Sequence, residues 1–264
     1  MALKDLFGEK KPIIGMVHLL PLPGTPLYKD SLADLYNQAI WEAQVLQETG
    51  VDGLIVENFG DEPFMIGEPE PIQFAVMAAA LRDVRRCVSI PVGLNVQFNA
   101  WKAEMAIAYA CNADFIRVEV FVDTVVMAQG LVHPCSAALM RYRKSLGANI
   151  QIWADIQTKY TTNLVSQSLT QSAIDARNAG ADALIVTGSA TGQATPLDSV
   201  TKVKEVVNIP VLVGSGTTIT NVKEAIQIAD GAIVGSSLKE GGSAWNRVSP
   251  EKSREFMNVA RGIG

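Results

Sequence analysis

The sequence predicts an α/β fold that consists of a single (β/α)8 TIM barrel. Short branched-apolar runs alternate with longer helical patterns along all 264 residues, and one such barrel commonly has this length. Most of the runs are apolar throughout, as parallel strands are when both of their faces are covered. The turns from helix to strand repeat a small residue or Asp before a branched run, as in AGADALIV and CNADFIRV, which indicates one reused unit.

Eight branched-apolar runs predict the strands in chain order. They cover residues 12–18, 51–57, 90–96, 114–120, 150–156, 182–188, 209–215 and 230–236. Stretches with apolar residues three and four positions apart predict the helices between them. These stretches cover residues 31–50, 69–88, 100–112, 136–147, 168–180, 197–208, 221–229 and 250–262. We therefore expect one domain over residues 1–264, with a short N-terminal extension of about residues 1–11. A doubly wound sheet is a weaker alternative, because its Gly-rich turn should follow the first strand.

The composition excludes several classes of function. The net charge is −5 and no Lys/Arg run is longer than a pair, which argues against binding to nucleic acid or to an acidic membrane. No apolar run approaches the roughly 18 residues of a membrane span, and the first residues lack the apolar core of a signal peptide. We expect a cytoplasmic protein whose three cysteines, Cys87, Cys111 and Cys135, are reduced thiols, because none forms a CxxC pair.

Glycine clusters follow the last three predicted strands. In a TIM barrel, the loops after strands seven and eight often bind phosphate, because glycine lets backbone N–H groups approach an anion and hydroxyls add further donors. The predicted phosphate-binding residues are Gly188, Ser189, Gly214, Ser215, Gly216, Gly235 and Ser236. The alternative is that these glycines only form tight turns, with Thr220 or Asn221 capping the next helix. If the phosphate interpretation is right, we expect Gly214→Asp to abolish anion binding in a barrel that still folds.

Polar residues stand at the predicted strand ends, where TIM barrels place their catalytic groups. The predicted catalytic residues are His18, Glu57, Asp155 and Lys159, and the predicted substrate-binding residues are Asn58, Asn95 and Glu119. A carboxylate near a lysine tunes either group toward neutral pH, and a lysine can also form a Schiff base with a carbonyl substrate. The alternative for Lys159 is a solvated loop lysine.

Other ionisable residues have plainer interpretations. Arg117 and Glu119 share one face of the fourth strand, and we favour an internal ion pair between them. Lys239 is either a solvated loop lysine or a phosphate contact, and His133 is predicted to be a loop histidine. With two histidines and no HxH pair, an amidohydrolase-type metal site is not expected, whereas carboxylates together with a phosphate would suit Mg²⁺.

Several motifs in combination resemble the BtpA/SgcQ family over nearly the whole chain. They are MVHLLPLPGTPLY, VDGLIVENFGDEPF, GLNVQFN, FIRVEV, IVTGSATG, PVLVGSGTTITNV and ADGAIVGSSLKEGG. The resemblance implies the ribulose-phosphate-binding barrel fold and a site, but not a reaction. It matches residues one by one at His18, Glu57 to Asp61, Asn95, Asp155, Lys159, Gly188, Gly214, Gly216 and Gly235.

The sequence departs from the family pattern at three places. NVQFNA stands where NVLRND is usual, so that Phe98 and Ala100 replace an arginine and an aspartate. Residues 127–130 read MAQG in place of TDQG, and residues 158–161 read TKYT in place of VKHA. Four ionisable side chains of the expected catalytic face are thus missing, while the glycine loops are intact.

Two hypotheses follow. The first is an isomerase, lyase or transferase that acts on a phosphorylated small molecule, with Glu57 and Asp155 as acid/base groups and Lys159 and His18 stabilising developing charge. The second is a non-catalytic assembly or regulatory factor, of the photosystem-biogenesis type, that keeps the phosphate site. In either case we expect a homo-oligomer, because the outer helical stretches 72–81 and 103–111 are strongly apolar.

Overall fold

The computed structural model describes residues 3–29, 31–188 and 193–262. Eight parallel strands close into a barrel in the order β1-β11-β10-β9-β7-β4-β3-β2, which confirms the predicted fold class. A three-stranded sheet, β6-β5-β8, lies beside it. The strands are β1 (Ile13–His18), β2 (Gly53–Glu57), β3 (Val92–Asn95), β4 (Phe115–Val118), β5 (Val125–Met127), β6 (Gly130–Val132), β7 (Gln151–Ile156), β8 (Thr162–Asn163), β9 (Ala183–Val186), β10 (Val211–Val213) and β11 (Gly231–Val234).

Each of the eight predicted helices is present, usually one to three residues shorter than its stretch. The helices are α1 (Leu3–Phe7), α2 (Leu32–Glu48), α3 (Pro71–Cys87), α4 (Trp101–Ala110), α5 (Ser136–Leu146), α6 (Leu169–Asn178), α7 (Leu197–Val206), α8 (Val222–Ile228) and α9 (Pro250–Arg261). Serine hydroxyls accept from backbone N–H groups at the first turn of α2, α6 and α9, which explains where these helices begin. Within the described residues, no helix is long and apolar enough to cross a membrane.

Some elements were not predicted. These are α1, the small antiparallel sheet and two 3-10 turns at Ser236–Leu238 and Glu240–Gly242. Their segments are two to five residues long, too short for apolar periodicity to appear. Asn221 precedes α8 as expected, but its side chain does not cap the helix. It bonds instead to the Thr218 N–H (2.7 Å) and to the Gly216 carbonyl (3.0 Å) within the loop.

Aromatic rings fill the inside of the barrel. Phe115 stacks on Trp153 with ring centroids 3.6 Å apart, and Phe7 of α1 lies against Trp153 at 6.3 Å. A Cβ atom added to Gly93 would lie 2.2 Å from the Phe115 ring, so β3 has glycine where this ring needs space. The packing of α1 into this cluster closes one end of the barrel and leaves the carboxyl ends of the strands for the site.

A repeated carboxylate contact explains the Asp of the sequence repeat. Four Asp residues each stand just before a barrel strand. Each carboxylate accepts the backbone N–H of the first or second residue of the preceding barrel strand. The bonds join Ile13 to Asp52 (2.8 Å), Val92 to Asp114 (2.8 Å), Ile152 to Asp182 (2.8 Å) and Val211 to Asp230 (2.9 Å). A basic side chain pairs with each carboxylate: Arg261, Arg85, Arg143 and Lys204, respectively. We call these four contacts the Asp clamps.

The apolar outer stretches form α3 and α4, and most of their residues pack against the barrel. Ile72, Phe74 and Tyr109 stay exposed on the outer surface. The homo-oligomer therefore remains a prediction. All three cysteines are free thiols, as expected.

Lys239 is neither a solvated lysine nor a phosphate contact. Its ammonium group bonds to Glu42 of α2 at 3.1 Å, and both side chains are almost completely buried. Glu42 also accepts the Val248 N–H at 3.2 Å. The 3-10 turn after β11 directs Lys239 outward, toward α2, so this ion pair joins the first and last β–α units of the barrel.

We predict that Lys239→Met destabilises the fold by about 3–5 kcal/mol, because it leaves the Glu42 carboxylate buried without its partner. Chemical denaturation measures this change in the free energy of unfolding. The control is the double variant Glu42→Met/Lys239→Met, which removes both charges and should recover most of the loss. An equal loss in the single and double variants would contradict the role given to the ion pair.

Candidate functional site

A cavity of about 710 Å³ lies between the loops that follow β7 and β9. Two other cavities at the carboxyl ends of the barrel strands share residues with each other and form the candidate site. The larger of these two, which we call the chamber, has a volume of about 810 Å³, and the smaller, which we call the inner pocket, about 40 Å³. They share Phe59, Arg117, Lys159 and Ala244. Strand register explains why polar side chains meet here, because His18 pairs with Glu57, and Glu57 in turn pairs with Asn95.

Most of the predicted phosphate-binding residues line the inner pocket, whereas Gly188 lines a different cavity. Those in the inner pocket are Gly214, Ser215, Gly216, Gly235 and Ser236. The N–H groups of Ser215, Gly216 and Ser236 have no acceptor in the part of the chain that the structure describes. These unpartnered donors are what an anion would need. Ser189 lies outside the described residues.

Some polar groups of the glycine-rich loops form hydrogen bonds within the protein. The Ser215 hydroxyl accepts the Gly188 N–H at 3.1 Å and donates to the Gln193 carbonyl at 3.4 Å. A Cβ on Gly216 would lie 2.0 Å from the same carbonyl, and Gly216 has a φ of +66°. The Gly188 N–H and the Ser215 hydroxyl thus tie the loops after β9 and β10 together, and a phosphate contact of these two residues stays a prediction.

The variant Gly214→Asp cannot serve as the test that the sequence suggested. A Cβ on Gly214 would lie 2.4 Å from a methyl group of Ile185 and 2.5 Å from that of Thr187, so any side chain here disturbs the core. Gly235 is different, because its nearest neighbours, Met16 and His18, are 3.5 Å or more from an added Cβ.

His18 is held in one orientation at the end of β1. Its Nδ1 atom bonds to the Ala244 carbonyl at 2.9 Å, and its ring stacks on Phe59 with centroids 4.3 Å apart. Burial, followed by the charge of Lys239, lowers the pKa of His18 well below its usual value. A neutral ring that donates from Nδ1 has a bare lone pair on Nε2, and Nε2 faces Gly235. His18 is therefore an acceptor.

Glu57 offers one free oxygen. Its Oε1 accepts from Gln97 Nε2 at 2.7 Å, whereas its Oε2 is buried without a partner among the described residues. Burial raises the pKa of this carboxyl, against the lowering effect of Arg117 and Lys159. The sequence patterns did not indicate Gln97, which lies two residues after Asn95 and just beyond the end of β3.

Arg117 pairs with Asp155 and not, as expected, with Glu119. Its Nε and Nη2 atoms donate to the two Asp155 oxygens at 2.8 and 3.2 Å, and both side chains are buried. Burial opposes the charge of Arg117, but the Asp155 carboxylate outweighs it and holds the pKa of the guanidinium above its usual value. Asp155 lies at the predicted strand end, with both oxygens engaged in holding Arg117.

Lys159 differs from the solvated alternative, because it is half-buried and lines both cavities. Burial, followed by the charge of Arg117, lowers the pKa of its amine. Its Nζ atom forms no hydrogen bond or ion pair with the described residues. A lysine with a lowered pKa and no partner can bind an anion or act as a nucleophile. His133 is a loop residue, as predicted.

The three predicted substrate-binding residues separate into two groups. Asn95 and Glu119 line the chamber. Asn58 does not line either cavity. Its Nδ2 donates to Asp61 (2.9 Å) and to the Gln97 carbonyl (3.1 Å), and its Oδ1 accepts the Gln97 N–H at 2.7 Å. Asn58 thus braces the loops that follow β2 and β3.

The chamber has an aromatic and aliphatic wall that the sequence analysis did not find. Six of its members are Leu27, Phe59, Phe64, Phe98, Tyr160 and Trp245. Trp245 comes from the segment after β11 and packs edge-on against Phe59 at 5.0 Å. Most positions where the chain departs from the family pattern lie on this wall, among them Phe98, Met127, Ala128, Thr158 and Tyr160.

Within the described ranges, no group of three or more His, Cys, Asp or Glu residues is placed to hold a metal ion. Both oxygens of Asp155 bind Arg117, and both oxygens of Glu119 accept protein N–H groups. Magnesium would therefore need oxygens from a bound ligand as well as the free oxygen of Glu57.

The fold and site define a class of protein, the TIM barrels with a pocket at the carboxyl ends of their strands. The chain belongs to the BtpA family, whose family model matches residues 9–262. This membership confirms the resemblance seen in the sequence.

Relatives in this family cover nearly the whole chain. The photosystem I biogenesis protein BtpA of Synechocystis sp. is 35% identical over 266 residues, which cover 100% of this chain and 93% of the relative. An uncharacterized protein of Pyrococcus abyssi is 39% identical over 256 residues, which cover 96% of this chain and 97% of the relative.

Solved structures with a similar fold have little sequence in common with this chain. Thiamine phosphate pyrophosphorylase from Pyrococcus furiosus has a TM-score of 0.59 at 15% identity, and the match covers 97% of this chain and 98% of that one. N-(5'-phosphoribosyl)anthranilate isomerase from Pyrococcus furiosus also has a TM-score of 0.59, at 13% identity, with 96% and 100% covered. At this identity the likeness shows the TIM-barrel fold alone.

We predict that His18 stays neutral at pH values well below the usual histidine pKa of 6.5, because protonation would place a buried charge near Lys239. Imidazole NMR signals followed through a pH titration measure this directly. The chain has two histidines, so His133→Asn assigns the His18 signal without touching the site. A His18 midpoint at or above 6.5 would show that the ring is not held neutral.

Proposed function

We propose that the protein binds a phosphorylated small molecule at the carboxyl ends of its barrel strands and acts on it as an isomerase, lyase or transferase. The phosphate lies in the inner pocket, and the organic part extends into the chamber. The observation that most supports this proposal is that the N–H groups of Ser215, Gly216 and Ser236, which have no acceptor among the described residues, lie beside the buried Arg117 and the half-buried Lys159.

The electrostatics of the inner pocket favour an anion. Arg117 and Lys159 both line it, and the pKa of Arg117 is held high, so the guanidinium is charged. Asp155 uses only Nε and Nη2 of Arg117, which leaves the remaining guanidinium N–H groups for a ligand. Backbone N–H groups and a guanidinium together form strong charge-assisted hydrogen bonds to phosphate.

The remaining polar groups supply the chemistry. Glu57 exchanges a proton through its free Oε2, and the His18 Nε2 lone pair accepts from a ligand hydroxyl or N–H group. Lys159 stabilises developing negative charge, or attacks a carbonyl carbon when its amine is unprotonated. Asp155 keeps Arg117 in place rather than meeting the ligand.

The chamber indicates that the organic part is bulky and partly apolar. Its volume of about 810 Å³ far exceeds that of the inner pocket, and its wall is mostly aromatic and aliphatic. The departures from the family pattern on this wall favour a ligand whose organic part differs from that of relatives with the usual residues. Two similar folds, the pyrophosphorylase and the isomerase, are themselves named for phosphorylated compounds.

A second candidate function is a non-catalytic assembly or regulatory factor that keeps the ligand site. The name of the Synechocystis relative, a photosystem I biogenesis protein, favours it. The missing arginine, aspartates and histidine of the family pattern favour it too. Binding of a phosphorylated compound without turnover would support this second function over the first.

We predict that Gly235→Asp abolishes binding of phosphorylated compounds, because its carboxylate would project near the phosphate position. A thermal-shift screen measures binding, and a ligand at about 100 times its dissociation constant stabilises the fold by roughly 2.7 kcal/mol. The matched control is Gly235→Asn, which has nearly the same shape and no charge. We expect Asp to weaken binding at least tenfold more than Asn (about 1.4 kcal/mol).

The probes of this screen are inorganic phosphate alone and two organic phosphates, ribose 5-phosphate and phenyl phosphate, each compared with its unphosphorylated counterpart. Equal weakening by Asp and Asn would show that charge near Gly235 is irrelevant. If none of the phosphorylated compounds raises the melting temperature, the phosphate site is rejected altogether.

We predict that Glu57→Gln lowers turnover of a bound phosphorylated compound by about 10²–10⁴-fold and leaves its affinity nearly unchanged, because Gln keeps the shape but cannot exchange a proton. Product formation followed by mass spectrometry gives kcat, and calorimetry gives Kd. Unchanged turnover would remove Glu57 from the chemistry. The absence of turnover in the unmodified protein, with binding intact, would favour the second candidate function.

A further inference from the structure

Asn95 is fixed in one orientation by its two donor bonds. Its Nδ2 donates to the Arg117 carbonyl at 2.8 Å and to Glu119 Oε1 at 2.9 Å. The Arg117 carbonyl can only accept, so the amide nitrogen must face it and the Oδ1 atom must point elsewhere. Oδ1 is buried and has no donor among the described residues. A buried amide oxygen without a donor is costly, which calls for a donor near this atom.

The Glu104 side chain, like Asn95 Oδ1, has buried oxygens without a hydrogen-bond partner among the described residues. It lies in the middle of α4 with no exposed surface, and neither of its carboxylate oxygens has a hydrogen-bond partner in the part of the chain that is described. It lies against the Asn95 side chain and near the Glu119 carboxyl. An ionised carboxylate in this position would be buried, unpaired and close to a second acid.

We propose that Glu104 is protonated in the folded protein and donates its proton to Asn95 Oδ1, so that Glu104 and Asn95 position Glu119 as the group that exchanges a proton with the ligand in the chamber. One proton then satisfies the Asn95 oxygen and removes the buried charge of Glu104. Glu104 and Asn95 are positioning residues, because neither has to touch the ligand.

The surroundings of Glu104 agree with a neutral acid. Burial, followed by the Glu119 carboxyl, raises its pKa well above the usual value, against the lowering effect of the Asn95 side chain and of the backbone at Arg117 and Val96. Within the described residues, no lysine or arginine pairs with it. The neighbouring Cys135 thiol is also neutral, because burial raises its pKa as well.

Glu119 has the position and the titration needed for proton exchange. Its Oε1 accepts from Asn95, its Oε2 accepts the Asn99 N–H at 3.1 Å, and the side chain lines the chamber. Burial raises its pKa to about 7, with Asp155 adding to the increase while the Asn95 hydrogen bond and Arg117 oppose it. A carboxyl that titrates near neutral pH can act as either acid or base.

The inference deepens the proposed function, since it rests on a ligand in the chamber, but its structural part can be tested without a ligand. Glu104→Gln is the informative variant because Gln keeps an N–H donor for Asn95 Oδ1 and cannot ionise. Glu104→Leu removes the donor. Glu119→Gln removes the group that exchanges the proton.

The first measurement is stability as a function of pH in the full chain. Glu104 has a folded pKa above its unfolded value of about 4.5, so unfolding releases its proton above that pH and stability falls as pH rises. The unfolding constant of the unmodified protein should therefore increase up to about tenfold more per pH unit than that of Glu104→Gln. Equal pH dependence in the two proteins would overturn the proposal, because Glu104 would then be ionised.

The second measurement is infrared absorption of the protonated carboxylic acid at pH 7 and above. The carbonyl band of neutral acid should be weaker in Glu104→Gln than in the unmodified protein by one carboxyl group, and the part that remains in the variant should disappear as Glu119, whose pKa is about 7, ionises. A band of equal strength in the two proteins would assign the proton to another residue. This result does not depend on whether Glu104→Leu folds.

The third measurement tests positioning. Carboxyl ¹³C NMR of glutamate-labelled protein follows the titration of Glu119, whose signal is assigned by its loss in Glu119→Gln. We expect the Glu119 midpoint to move upward in Glu104→Leu, because a loosened Asn95 stabilises the charged carboxylate less, and to stay in place in Glu104→Gln. Equal shifts in both variants would show that the donor on Glu104 has no positioning role.

The role of the site is tested last, with phenyl phosphate as the probe. If Glu119 exchanges a proton with the ligand, the affinity should change with pH around the midpoint of the Glu119 titration. This change should be absent in Glu119→Gln. Binding that keeps the same midpoint in Glu119→Gln would overturn this part of the proposal. No binding at all would reject the proposed function while leaving the stability and infrared results to decide the state of Glu104.

Discussion

The four Asp clamps are the constraint on which the site depends. Each carboxylate holds the start of one barrel strand against the start of the next, and strand register is set where the strands begin. Because a shift of one residue would turn every side chain to the opposite face, the clamps also decide what meets at the far ends. The Asp52 clamp between β1 and β2 thus sets His18 level with Glu57, and the pairing of β2 with β3 adds Asn95 at the same level.

The sequence predicts the fold and most of the polar residues of the candidate site. It does not predict which of their side chains form hydrogen bonds or ion pairs with one another. Parallel strands have continuous apolar runs, so the ends of β1 and β2 can be located from the sequence. His18 and Glu57 could therefore be placed at those ends. Strand alternation indicates which residues share a face, and this led to the wrong partner for Arg117. Its true partner, Asp155, lies on the neighbouring strand β7, and side-chain reach across strands has no sequence signal.

The glycine-rich loops show a related limit of sequence reasoning. Gly216 is required because the Gln193 carbonyl leaves no space for a Cβ, and Gly214 because two methyl groups do the same. A sequence cannot distinguish a glycine that receives a ligand from one that receives another part of the protein. Here loop-to-loop bonds engage Gly188 and Ser215, while the N–H groups of Gly216 and Ser236 have no acceptor among the described residues. Lys239 was misjudged for a similar reason, because a 3-10 turn of three residues reverses its direction.

The Glu42–Lys239 ion pair has a consequence for the order of folding. The four Asp clamps join residues that are 19 to 39 positions apart, so each pair of strands can form early from a short segment. Glu42 and Lys239 are 197 positions apart, and they meet where the last unit of the barrel joins the first. The contact that closes the ring is therefore among the last to form. Its loss should accelerate unfolding far more than it slows folding, which makes this buried pair a determinant of native-state lifetime.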